Sequence, residues 1–152
     1  MQTDPFVAAL EEWIEVSMHR SMRNFIHYAR KSGLTMSHMG ALFHIHREGR
    51  CGVTELGNHL DVSSAAASQM LERLVQQDLI LRMEDPDDRR VKKIVLTDKG
   101  ERLLKDGIRA RQSWVEELTQ TLAPDEKDTI RVSLKVLIEK VRHLKQPAEP
   151  IS

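Results

Sequence analysis

Between residues 54 and 100 the sequence leaves little freedom in how the chain can fold. Thr54-Glu55-Leu56-Gly57-Asn58-His59-Leu60 reads as a short helix opened by a threonine cap, and Ser63, three residues on, can cap a second helix running to Gln77. Two short helices joined by so brief a turn are the pattern of a helix-turn-helix. In the second helix Ala67, Met70, Leu71 and Leu74 fall on the inward face by helical spacing. That leaves Ser64, Ala65, Ser68, Gln69, Glu72 and Arg73 outward. The outward face is small and polar near its N-terminus, which is the end that a recognition helix pushes into a major groove about 12 Å wide. Directly afterwards come two strand-like runs, Leu79-Ile80-Leu81-Arg82-Met83 and Val91-Lys92-Lys93-Ile94-Val95-Leu96, separated by an Asp/Pro-rich turn, and together they predict a β-hairpin. The turn orders its charges: Glu84, Asp85, Asp87 and Asp88 precede Arg89, Arg90, Lys92 and Lys93.

Long helices flank this segment. Asp4-Pro5 reads as a cap followed by proline at the first helical position, and Leu10, Trp13, Ile14, Met18, Met22, Phe25 and Ala29 carry the helix to a stop near Ser32-Gly33. A second helix fits Met36 to His46, with Thr35 as its cap, and ends at the turn Glu48-Gly49-Arg50-Cys51-Gly52. Thr97 caps a long helix through Leu103, Leu104, Ile108, Val115 and Leu118; Pro124 starts the last one, through Ile130, Leu134, Leu137, Ile138, Val141 and Leu144. The fold class is therefore mainly α with a small β-hairpin wing: a winged helix-turn-helix flanked by N- and C-terminal dimerisation helices. Residues 34–100 form the DNA-binding region, 1–32 and 101–146 the helical dimerisation region, and 147–152, with two prolines, a flexible tail. The apolar stripes of the terminal helices exceed what one small winged helix can cover, which predicts a homodimer.

Composition narrows the function. A chain of 152 residues with 40% hydrophobic and 30% charged residues suits one globular domain rich in helix formers. No apolar run reaches the roughly 18 residues of a membrane span, and MQTDPF lacks the features of a signal peptide, so a cytoplasmic protein without membrane contact is expected. Cys51 is the single cysteine, which excludes an internal disulfide. The formal net charge of zero supplies no global attraction to nucleic acid, but phosphate attraction depends on where charges sit within a screening length of about 8–10 Å. No Gly-rich phosphate loop, nucleophile elbow or zinc-enzyme motif is present, and neither an enzyme nor a cofactor is predicted.

The wing carries two further signatures, Asp88-Arg89-Arg90 and Leu96-Thr97-Asp98-Lys99-Gly100. With them, Leu60 to Gly100 resembles the winged helix-turn-helix of the MarR family of bacterial transcription regulators, and the flanking helices match that family in length and order. Two positions depart from its pattern: Asp78 stands where many members have Gly, and Gln69 where an Arg is common. The resemblance implies a repressor that binds a pseudo-palindromic double-stranded DNA site as a homodimer and is released by a small anionic or aromatic effector.

On this reading the DNA surface comprises Ser63, Ser64, Ala65, Ser68, Gln69 and Arg73 of the helix with Asp88, Arg89, Arg90 and Lys92 of the wing. Asp88 and Arg90 are two apart on a strand, about 6.5–7 Å, so the acid can orient the base for a minor groove while Arg89, Lys92 and Lys93 meet phosphates. Taken alone, such a turn is more often a solvated surface with weak ion pairs. Trp13, Met18, His44 and Trp114 are candidate lining for an effector pocket, although such residues more often serve core or dimer packing. Two rival readings stay open. One is a metal or thiol sensor using His38, His44, His46 or Cys51; His44 and His46 diverge by about 200° around a helix, so no metal site is assigned. The other is a winged-helix protein-interaction module, suggested by the neutral charge and the acidic wing.

Overall fold

The computed structural model describes residues 4–84 and 92–144. Among these the order is α1 (Pro5–Lys31), α2 (Met36–Glu48), α3 (Val53–His59), α4 (Ser64–Gln76), β1 (Ile80–Glu84), β2 (Lys92–Leu96), α5 (Asp98–Gln112), α6 (Trp114–Thr121) and α7 (Pro124–Arg142). The chain divides into two compact units, Met1–Ser113 and Trp114–Ser152.

In the first unit the helix starts follow local chemistry. Asp4 Oδ1 accepts the Phe6 amide at 2.9 Å ahead of Pro5, whose missing N–H would have had no helical partner anyway. Thr35 Oγ1 accepts the His38 amide at 3.3 Å to open α2. The core is built from Phe25 and Ala29 of α1, Met39, Ala41, Leu42 and Ile45 of α2, Leu56 of α3, and Ala67, Leu71 and Leu74 of α4. Leu79, Ile80 and Ile94 of the hairpin and Leu104 of α5 complete it. The wing is antiparallel, with Ile80 opposite Leu96, Arg82 opposite Ile94 and Glu84 opposite Lys92. Asp78 does adopt the left-handed backbone, at φ 57°, that its place before β1 requires.

Three local expectations change. Thr54 does not cap α3; Gly52 occupies the cap position, two residues before the threonine, and its amide donates to Glu55 Oε2 at 3.2 Å, so the helix starts at Val53. Cys51 does not lie in a plain loop. Its amide and carbonyl exchange hydrogen bonds with Ile94 at 3.2 and 2.9 Å, adding a short third edge to the wing. The helix from Thr97 does not continue to Leu118 but ends at Gln112, with α6 starting at Trp114. Ser113 Oγ donates to the Ala110 carbonyl at 3.0 Å and accepts Asn24 Nδ2 at 3.0 Å, so a side chain competes for the backbone acceptor and anchors the break to α1.

The second unit consists of α6 and α7. Pro124 opens α7, and the Ala123 amide donates to Glu126 Oε2 at 2.8 Å. Neither helix buries a residue, and α7 leaves Ile130, Leu134, Ile138 and Val141 exposed along one stripe. Among the described residues no helix is long and apolar enough to cross a membrane.

The first turn of α5 packs so closely on the hairpin that a side chain at Gly100 would collide with the Leu79 carbonyl. Gly100→Ala should therefore lower the unfolding free energy by about 1–3 kcal/mol, despite a gain of up to ~1 kcal/mol in helix propensity. Urea denaturation measures this; unchanged or higher stability would show that the contact is not confining.

Candidate nucleic-acid interface

The two helices expected to form the reading head are α3 and α4. Asp61, at φ 51°, turns the chain between them, and Gly57 lets α3 approach closely: a Cβ there would lie 3.3 Å from the Val62 carbonyl. Ser63 Oγ accepts the Ala66 amide at 3.2 Å. Its hydroxyl is therefore engaged in capping α4, while the residue stays exposed. Ala67, Leu71 and Leu74, fully buried, fix one face of α4, and Ser64, Ala65, Ser68, Gln69 and Arg73 are all exposed. The sequence-predicted outward face is thus assembled as one surface, with Ala66, not singled out from the sequence, also exposed on it.

Two side chains of that face do more than point outward. Glu72 Oε1 accepts Arg82 Nη2 of β1 at 2.6 Å, which ties the base of the wing to α4. Arg73 Nη2 donates to the Gly33 carbonyl at 3.1 Å and so docks α4 on the turn between α1 and α2. The guanidinium has five donors, and this bond uses one of them. A cavity of about 600 Å³ runs beside α4, lined among others by His38, Gln69, Met70 and Arg73.

The wing tip, with Asp88, Arg89 and Arg90, lies outside the described residues. Lys92 is placed by its backbone, paired with Glu84 at the last described step of the hairpin.

The expected effector-pocket residues Trp13, Met18, His44 and Trp114 are divided between the two units. Trp13 and Met18 are exposed on α1, and Trp114 opens α6 in the second unit. His44 is buried and stacks on His59 with ring centroids 3.9 Å apart. Neither nitrogen of the His44 ring has a hydrogen-bond partner among the described residues.

The sensor residues are also dispersed. His38 Nδ1 accepts the Thr35 amide at 3.1 Å and lies 2.6 Å from Thr35 Oγ1, so this histidine occupies the capping-box position that Glu or Gln usually fills. The spacing Thr35-x-x-His38 was the available sequence signal for it. His46 Nδ1 pairs with Glu101 Oε1 at 3.0 Å. Cys51 is fully buried, and burial, followed by the Glu55 and Glu48 carboxylates, pushes its thiol up to about 11. A protonated, shielded thiol is a poor nucleophile, which counts against the thiol-sensor reading. Among the described residues, no three histidine, cysteine or acidic side chains are grouped to hold a metal ion.

Burial, then the Arg73 charge, lowers the pKa of His38; burial, then His59 and Arg47, lowers that of His44. In the unfolded chain both titrate near about 6.5, so below that pH the unfolded state binds more protons and folding weakens, until the lowered folded-state values are passed. The thermal midpoint should accordingly fall between about pH 7.5 and pH 5.5. His44→Phe, which keeps a ring against His59, should reduce that fall; an unchanged pH dependence would remove His44 from the explanation.

The MarR family model matches residues 34–92 of the chain. The HTH-type transcriptional repressor MdtR of Bacillus subtilis is 28% identical over 118 residues, covering 78% of this chain and 72% of MdtR. Of the other curated relatives, three are matched over only 41 to 51% of their own length and two over 80 and 82%. Among solved structures, the transcriptional regulator Tm0710 from Thermotoga maritima is 27% identical with a TM-score of 0.76, covering 95% of this chain and all of that one, 100%. A mutant of MarR from E. coli complexed with operator DNA is 26% identical with a TM-score of 0.55, over 89% of this chain and 99% of that one.

Proposed function

We propose that this chain, whose residues 34–92 match the MarR family model, is a winged helix-turn-helix regulator that represses transcription as a homodimer on a pseudo-palindromic duplex site. The observation that carries the reading is α4: a helix capped by Ser63, pinned by buried Ala67, Leu71 and Leu74, and presenting the short side chains Ala65 and Ser68 beside Gln69 on its free face. Short side chains let the helix backbone approach the floor of a major groove, and Gln69 can offer an amide donor and acceptor to the edge of an adenine. The MarR complex with operator DNA supports the same partner for this chain.

The homodimer reading rests on unburied apolar surface. Phe6, Trp13, Ile14 and Met18 of α1 are 61, 44, 46 and 56% exposed, and Val132, Val136 and Val141 of α7 are 56, 53 and 63% exposed. A second copy is the partner that a two-fold DNA site requires, with recognition helices about 34 Å apart. Release by a small anionic or aromatic effector is part of the proposal by family likeness. In the wing, Arg90 oriented by Asp88 is assigned to the minor groove, and Arg89 and Lys92 to phosphates.

These roles separate experimentally. Gln69→Ala should relax preference at one base position, costing about 1–3 kcal/mol on the preferred sequence only. Lys92→Ala should weaken all duplexes alike and flatten the salt dependence by about one unit of slope. Asp88→Ala should weaken specific binding even though it removes negative charge near phosphate. Binding titrations on preferred and random duplexes decide this; equal effects of Gln69→Ala and Lys92→Ala on all sequences, or tighter binding by Asp88→Ala, would refute the division of roles.

A further inference from the structure

The segment Thr97-Asp98-Lys99-Gly100 is a motif of the chain that DNA contact does not explain, since it opens α5 rather than lining the free face of α4. Its contacts lie on the other side, at the end of the recognition helix. Three successive carbonyls emerge there, those of Gln77, Asp78 and Leu79. Lys99 Nζ donates to the Gln77 carbonyl at 2.7 Å and Thr97 Oγ1 to the Asp78 carbonyl at 2.7 Å. The Thr97 amide donates to the Leu79 carbonyl at 3.1 Å. Thr97 Oγ1 also accepts the Gly100 amide at 3.0 Å, so the same hydroxyl caps α5.

We infer that Lys99, with Thr97, is a positioning residue for DNA reading: it clamps the C-terminus of α4 to the N-terminus of α5, so that the recognition helix, β1 and α5 move as one body. The inference rests on the DNA-binding reading of α4. The geometry gives the reason. Asp78 has a left-handed backbone, and directly beyond it the chain leaves α4 for β1. The carbonyls at a helix end lack helical donors and carry the negative end of the helix dipole. An ammonium on the Gln77 carbonyl answers both. Without it the junction is held by Thr97 and by the close approach of Gly100 to the Leu79 carbonyl. The tilt of α4 then rests on fewer contacts, and base reading, which tolerates little misplacement, suffers before folding does.

A positioning role differs from a phosphate contact and from plain stabilisation in what it moves. Lys99→Met keeps the stem and removes the ammonium; Lys99→Arg restores a cation. Three readouts are taken on full-length protein: affinity for a duplex selected by the wild-type chain and for a random-sequence duplex over a salt series, the thermal midpoint, and amide hydrogen exchange without DNA. The expected result for Lys99→Met is a roughly five- to tenfold fall in the ratio of selected to random affinity, the scale of one lost hydrogen bond. Its salt slope should not change and its melting should shift little. Exchange should quicken at the Leu79 and Thr97 amides, and Lys99→Arg should recover most of the ratio. A salt slope lowered by about one, with the ratio intact, would make Lys99 a phosphate contact and overturn the inference. Equal weakening on both duplexes with a lower melting point would reduce it to a stabilising bond and overturn it also. A wild-type chain without affinity for any duplex would overturn the DNA reading itself, and the positioning role with it. Quickened exchange in that case would still locate the fault in the DNA reading, not in the clamp.

Discussion

Burial of one face of α4 is the interaction on which the rest of the structure depends. Ala67, Leu71 and Leu74 are wholly removed from solvent. On the order of 1.5–3 kcal/mol accompanies each buried leucine side chain, more than any single surface contact nearby can contribute. That burial sets the rotation of the helix about its axis and therefore decides which residues face outward. Surface contacts then fix the remaining freedom: Arg73 on the Gly33 carbonyl, Glu72 on Arg82, and the residues of the α5 cap on the last carbonyls of the helix. Apolar packing supplies the stability, and polar contacts supply the orientation.

The division resolves the apparent conflict between zero net charge and a nucleic-acid partner. Glu72 is acidic on the face that would meet DNA, yet it holds Arg82 at 2.6 Å, so the pair adds little net charge while joining wing to helix. Arg73, the cation nearest the middle of that face, is partly committed to the protein backbone. The contacts on α4 leave little net charge there, and the proposed function accordingly assigns the attraction to phosphate to Arg89, Arg90, Lys92 and Lys93, which follow one another closely in sequence.

Much of this was legible in the sequence because the signals agreed with one another. The period of Ala67, Leu71 and Leu74, the Ser63 cap and the two apolar runs of the hairpin each specify local structure independently of the rest of the chain; the helix face, the cap and the paired strands fall where expected, and the Asp/Pro turn lies outside the described residues. The misses have a common cause, which is competition from contacts distant in sequence. Ser113 breaks a helix whose apolar pattern continues past it, because its hydroxyl meets Asn24, 89 residues away. Cys51 leaves the loop to pair with Ile94, and Arg73 finds Gly33, 40 residues away. A lone histidine on an apolar face, such as His44, likewise gives no sign that a second ring, His59, will stack on it. For the candidate site, periodicity was enough to place the outward face of α4. It could not reveal which of those side chains are held by the protein itself.

The most direct measurement of the central claim, that two copies of this capped and clamped α4 read duplex DNA, is selection of bound duplexes from a random-sequence pool by the full-length protein. Repeated rounds should enrich an inverted repeat whose half-sites are centred about 10–10.5 base pairs apart, one turn of DNA, with loss of preference at a single position in each half-site when Gln69 is replaced. Enrichment of an unpaired half-site, or no enrichment with no salt-dependent binding to the starting pool, would contradict it.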